Sequence, residues 1–247
     1  MRRVKLTLSY DGSTYLGFQV QPGGPTIQSV TEEALSRLLH EPVKLRAAGR
    51  TDAGVHAREQ VVDFGDSGNR PLATILRGGN ALLPADIRIL SASEMPEPFN
   101  ARRDATEKEY RYFLNLSPVA SPFFSRYAWH LEKPLDLDAM REGLGHIVGE
   151  HDFSAFRGQG CTAKTTVRTI YRAEWKEKSQ DLFYIVIAGN GFLRHMVRNI
   201  VGTLVDVGKG KIRPARIKEL FSLKKRAEAG PTAPARGLFL WSVRYPG

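Results

Sequence analysis

The stretch VKLRAAGRTDAGVHAREQVVDF, residues 43–64, decides the fold, because 43–48 and 60–64 read as two strands around a glycine-bearing loop. Before it, Ile27, Val30, Ala34, Leu35, Leu38 and Leu39 recur at helical spacing, preceded by an alternating strand over 5–10 and a Gly- and Pro-containing loop through Pro25. After it comes a weaker helix over 72–83, interrupted by Gly78-Gly79, and then a strand over 87–90. Beyond the loop at 97–103 the same order returns: strand 110–116, helix 137–148, strands 167–175 and 182–188, helix 192–207 and strand 237–245. An extra helix over 214–223 precedes that last strand. The pattern predicts a duplicated α+β fold with halves 1–105 and 106–247, each a mostly antiparallel sheet with helices packed on one face.

The 247 residues carry 36 Lys plus Arg against 26 Asp plus Glu, a formal charge of 36 − 26 = +10, which argues for an anionic partner. At 42% hydrophobic and 25% charged, the chain is too apolar for a disordered basic tail. The one cysteine, Cys161, closes no internal disulfide and builds no cysteine-rich zinc site, which suits a reducing compartment and removes zinc-dependent deamination. No apolar run approaches the roughly 18 residues that span a bilayer, so a soluble, cytoplasmic protein is expected.

The charge is uneven. Residues 1–105 hold 13 basic against 12 acidic side chains, and 106–247 hold 23 against 14. From Arg194 to Arg226 ten basic residues, Lys224, Lys225 and Arg226 among them, face two acidic ones. Such a run reads as a phosphate-tracking face or as a solvated surface. Arginine outnumbers lysine 24 to 12, which alone decides little.

In GRTDAGVHA, residues 49–57, two glycines bracket Arg50, Thr51 and Asp52, so the backbone can turn tightly and expose Asp52 in a concavity beside a cation. The commoner outcome for these residue types is a plain loop with an Asx turn and a solvated arginine. His56 reads as a local hydrogen-bonding residue, since no metal-ligand spacing accompanies it. In GNGFLRHMVRNIVGTLVDVG, residues 189–208, Phe192, Leu193, Met196, Val197, Ile200, Val201, Leu204 and Val205 form an apolar arc. Arg194 and Arg198 fall four apart at its edge, placed either to project into a cleft toward Asp52 or merely to snorkel beside the core. Tyr110 and Tyr112 share a strand face with Leu114, the ordinary setting of core tyrosines. GKGK at 208–211 is no P-loop and no GxGxxG follows a strand, so nucleotide-cofactor chemistry loses support. Hydrolysis or isomerisation remains among enzymatic options, against an ordinary loop in which Asp52 is a turn residue.

GRTDAGVHA resembles the active-site motif of the TruA family of tRNA pseudouridine synthases. The resemblance extends through YDGSTYLGFQVQP (10–22), TIQSVTEEAL (26–35), EYRY (109–112), HDFSAFRGQGCTAKTTVRTI (151–170), FLRHMVRNIVG (192–202) and PARGLFLWSVRY (234–245), nearly the whole chain in the family's order. It implies duplicated ferredoxin-like halves with an active-site cleft between them. It implies isomerisation of uridine to pseudouridine at positions 38, 39 and 40 of the tRNA anticodon stem-loop, by a homodimer without cofactor or metal. Asp52 would be the catalytic carboxylate, attacking C1′ or C6 or acting as a base in a glycal route. Arg198 would be its cation, and Tyr110 would lie against the target base. Substrate contacts would come from Arg50, Thr51, Arg102, Arg194, Lys224, Lys225 and Arg226. Phe18 stands where the family usually has tryptophan, and Asn100 and Arg103 depart from its FHARFSA-like loop, here FNARRDA.

Overall fold

The computed structural model describes residues 2–246. Contacts divide the chain into two units, the first running to Thr106 and taking up the stretch from Phe239 on, the second being Glu107–Leu238. Among the described residues there are five α-helices and a mostly antiparallel set of strands, a mixed α/β fold. No described helix is long and apolar enough to cross a membrane.

In the first unit β1 (Arg2–Tyr10) alternates strictly, burying Val4, Leu6, Leu8 and Tyr10. It lies between β3 (His56–Asp66) and β4 (Ile87–Met95), antiparallel to both, and β2 (Arg46–Ala47) pairs with the far edge of β3, so the order is β4-β1-β3-β2. α1 (Ile27–Leu39) starts at Thr26, whose hydroxyl accepts from the Ser29 amide while Ser29 Oγ accepts from the Thr26 amide.

The strand expected over 43–48 shrinks to two residues, because α1 takes its amides: Val43 N–H donates to Ser36 Oγ at 2.9 Å and Leu45 N–H to buried Glu32 Oε1 at 2.9 Å. α2 (Leu72–Leu82) runs through Gly78-Gly79 without interruption. A Cβ there would lie 2.5 Å from Leu38 Cδ1 or from Ile89 Cδ1, so the glycines are what let α2 approach α1 and β4.

β3 is buried on both faces. Its second face is covered by Ala48, Phe99 and Ala101 with Met95, Val243 and Tyr245. Fully buried Asp63 on that face accepts from Arg46 Nε at 3.0 Å and from the Ala101 amide at 2.8 Å, with Arg3 at 3.4 Å. A carboxylate so placed needs this complement of donors, since its desolvation is otherwise uncompensated.

The second unit holds β5 (Glu107–Asn115), β6 (Trp129–His130), α3 (Leu137–Gly145), β7 (Gly149–Asp152), β8 (Val167–Ser179), β9 (Leu182–Gly189), α4 (Met196–Gly208) and α5 (Arg216–Leu223). Its order is β5-β9-β8-β7, all antiparallel, with β6 parallel to β5. The short strands β6 and β7 have no periodicity to betray them. β10 (Leu238–Arg244), expected with the second half, pairs parallel with β3 through Phe239–His56 and Leu240–Ala57.

α4 begins at Met196, not at 192, because His195 sits in the left-handed region (φ 60) and breaks the helical path. Arg194 is therefore off the helix, and the expected four-residue pairing with Arg198 along one helix edge does not form. Within α4, Gly202 meets the 229–233 segment so closely that a Cβ would stand 1.7 Å from Pro231 O. Alanine is favoured over glycine in a helix by about 1 kcal/mol. Here backbone occlusion outweighs that gain, and Gly202→Ala should destabilise the protein by about 2 kcal/mol in urea unfolding. A raised midpoint would mean that the 229–233 segment yields freely.

Candidate active site

Asp52 lies on turn 52–55, closed by Val55 N–H donating to the Asp52 main-chain carbonyl at 3.1 Å, with Gly54 left-handed (φ 74) at its third position. The segment that follows β1 grips this turn. Phe18 N–H donates to Thr51 O at 3.0 Å and Gly12 N–H to His56 Nδ1 at 3.2 Å. A Cβ on Gly12 would lie 2.0 Å from Val55 O, and one on left-handed Gly17 (φ 97) would lie 2.8 Å from Thr51 O. Only glycine at both places lets the two loops touch.

Beneath the turn runs a buried polar chain. Tyr10 Oη is 2.8 Å from Thr51 Oγ1, and Gln60 Nε2 donates to Gly49 O at 2.8 Å and reaches Tyr10 Oη at 3.5 Å. Burial pushes the Tyr10 phenol up to about 12, outweighing the bonds from Thr51 and Gln60, so it stays protonated at neutral pH. Thr51, expected to touch substrate, is buried with its hydroxyl 2.8 Å from Tyr10 Oη. Neither Tyr10 nor Gln60 stood out in the sequence; the signal was a glutamine at a position of β3 whose neighbours are core residues. His56 is buried against the Phe239 ring, 4.6 Å between centroids.

Arg50 is exposed and, among the described residues, makes no ion pair, so the carboxylate-beside-arginine brace expected within this loop is absent. Arg102 is exposed on the 99–105 loop, where Asn100 Oδ1 accepts from the amides of Arg102 and Arg103 and Tyr245 Oη donates to Ala101 O at 2.7 Å. Asn100 thus folds the loop locally.

In the second unit Tyr110 and Tyr112 share a face but differ in setting. Tyr112 is fully buried and donates to Pro234 O at 2.8 Å; burial pushes its phenol well above the usual range despite the opposing charges of Arg198 and Arg236. Tyr110 meets Phe192 edge-on, 4.9 Å between centroids. Arg198, on the first turn of α4, donates from Nε to Ala233 O at 2.8 Å while its own carbonyl accepts from the Ala233 amide at 3.1 Å, which fixes the guanidinium plane.

The 224–226 run disperses. Arg226 is half-buried, bonded to Gly230 O at 2.9 Å, Asn199 Oδ1 at 3.1 Å and Thr232 Oγ1 at 3.2 Å, and so pins the 229–232 loop to α4. Lys224 pairs with Asp152 at 2.8 Å; burial raises that carboxyl, but bonds from Lys224 and Ser154 outweigh it and hold it well below the usual range. Lys225 and Arg194 are exposed.

Comparison with known proteins bears on what these arrangements do. Residues 7–102 and 145–246 match the family described as tRNA pseudouridine synthase. Over 245 residues, 99% of this chain, it is 49% identical to tRNA pseudouridine synthase A of Pelobacter propionicus and 47% identical to that of Geobacter sulfurreducens, covering 100% of each. It is 46% identical to the protein of that name from Myxococcus xanthus, covering 92% of it. With the Asp52 turn inside the first matched stretch and Arg198 inside the second, the chain belongs to the tRNA pseudouridine synthase family.

Proposed function

We propose that this chain isomerises uridine to pseudouridine at positions 38, 39 and 40 of the tRNA anticodon stem-loop, with Asp52 as the catalytic carboxylate, Arg198 as its cationic partner and Tyr110 against the target base. The observation that carries this reading is the Asp52 turn, gripped from above by two glycine contacts and from below by the Tyr10–Thr51–Gln60 chain. A loop spending that much close contact on one acidic residue is built for position. Both units are read as variants of one ferredoxin-like βαββαβ half, on the β4-β1-β3-β2 order of the first and on β9 lying between β5 and β8 in the second. The enzyme works as a homodimer in the cytoplasm.

The reaction breaks the N1–C1′ bond, turns the uracil and joins C5 to C1′; C5 loses a proton and N1 gains one, so the product is an isomer of the substrate. The net bond changes lie within one nucleoside, so the chemistry calls for no cofactor. It needs a carboxylate able to attack and leave again, or to take a proton. Asp52 serves either route, with Arg198 as its cationic partner. Tyr110 shields the detached base from water and assists loss of the C5 proton. Reaching the base requires flipping it, at a cost of a few kcal/mol that contacts elsewhere must offset. Exposed Arg50, two residues from Asp52, is placed to take a neighbouring phosphate or the flipped nucleotide.

With tRNA tritiated at uridine C5, the wild type should release label to water, and Asp52→Ala should bind tRNA but release none. Binding by the wild type with no release would make the chain an RNA-binding protein only. Arg198→Lys keeps charge but loses the fork, and turnover should fall at least tenfold with affinity changed less; equal losses would move Arg198 to phosphate binding. Thr51→Val removes the hydroxyl at equal volume and should lower kcat at least fivefold with KM little changed, while Thr51→Ser restores it. A wild-type kcat for Thr51→Val would separate the buried chain from catalysis.

A further inference from the structure

Two stretches of the second unit contain no acidic residue at all, 153–173 and 182–205, and the fold sets their loops side by side. Gly158 N–H donates to Arg194 O at 2.8 Å, Asn199 Nδ2 to Phe156 O at 2.8 Å and Asn190 N–H to Thr169 O at 3.1 Å. Glycines make the approach possible. A Cβ on Gly158 would lie 2.8 Å from the His195 ring, and one on Gly189 would lie 2.5 Å from Thr169 O. Gly160, left-handed at φ 71, lies under the Arg194 guanidinium, with Nη1 3.0 Å from where its Cβ would stand. The left-handed His195 is what lifts Arg194 off α4 into this position, a non-glycine strain of the kind stored where function requires it.

On this platform Arg157, Lys164 and Arg194 are exposed and, among the described residues, have no anionic partner. Arg168 is half-buried, its Nη1 donating to Thr165 O at 3.1 Å and Thr165 Oγ1 at 3.2 Å, and no carboxylate pairs with it. Desolvation lowers its affinity for the proton, a cost that an arriving anion would relieve. Of the flanking acids, Asp152 is occupied by Lys224, and Glu150 reaches Thr169 Oγ1 at 3.4 Å.

We propose that the 157–168 and 189–195 loops form a phosphodiester site for the RNA backbone, with Arg157 and Arg194 as its contacting cations and Arg168 as a fixed charge behind them. The proposal rests on the reading of tRNA as substrate and says where on the second unit its backbone is held.

Each phosphate neutralised contributes about 0.7–0.9 to the slope of log K against log salt. Arg157→Ala with Arg194→Ala should therefore weaken tRNA binding at least tenfold at physiological salt and flatten that slope by about 1.5. The pair of lysine replacements should keep the wild-type slope, and so should Arg77→Ala on α2, exposed in the first unit. An unchanged slope in the alanine pair, or a slope lost equally in the lysine pair, overturns the proposal, the second result assigning the arginines to packing. If the alanine pair does not fold, Arg157→Ala alone carries the test, with a slope change of about 0.8. Inorganic phosphate should displace tRNA no better than chloride at equal ionic strength; displacement at millimolar phosphate would make this a site for a free anion. A wild type whose tRNA binding ignores salt would sink the tRNA reading itself, a result separate from all of these.

Discussion

The close approach of the 10–18 segment to turn 52–55 is the constraint on which the rest depends. At Gly12 the missing Cβ leaves no slack: the atom would sit 2.0 Å from Val55 O, inside any contact distance. Because the same segment donates from Phe18 to Thr51 O, the turn is held at its main chain. β1 and β3, antiparallel neighbours, deliver both segments to one end of the sheet. The bulge between Leu8 and Tyr10 re-aims the end of β1 just where Tyr10 must turn under Thr51.

The polar chain below the turn has a cost. Gln60 Oε1 is buried without a partner, worth about 1–3 kcal/mol against the fold. A leucine would fill that place in β3 more cheaply. What it would lose is the Nε2 donor that holds Gly49 O and meets Tyr10 Oη, the two ends of the loop's support. Stability given up at a buried amide next to the Asp52 turn is the trade expected where position matters more than free energy.

Much of this was legible in the sequence and part was not, for separable reasons. The long elements announce themselves: β1 alternates, α1 and α4 carry apolar arcs, and GRTDAGVHA marks the turn by its glycines. Local readings failed where distant groups decide. Val43 and Leu45 have strand side chains, yet their amides go to Ser36 and Glu32 of α1. Gly78-Gly79 looks like a helix breaker and is a packing surface, because helix propensity is weaker than the contacts to Leu38 and Ile89. The apolar arc begins at Phe192, four residues before α4, because a left-handed histidine leaves no mark in an apolar pattern. The Thr51 hydroxyl, beside Asp52 in sequence, is tied to Tyr10, a contact that local pattern does not reveal because Tyr10 lies 41 residues earlier.

Charge counting shows the same limit more sharply. The 224–226 run is the densest basic cluster in the chain, yet one of its members is spent on main-chain carbonyls and another on Asp152. A guanidinium already saturated by the fold has few donors left for a phosphate. Arg157, Lys164 and Arg168 are scattered along twelve residues and attract no notice as a run. What unites them is the absence of any carboxylate on the loops around them and the glycines that bring those loops together. For a protein that must grip a polyanion, the informative quantity is the number of cations the fold leaves without an internal anion, and that number is set by tertiary contacts and not by composition.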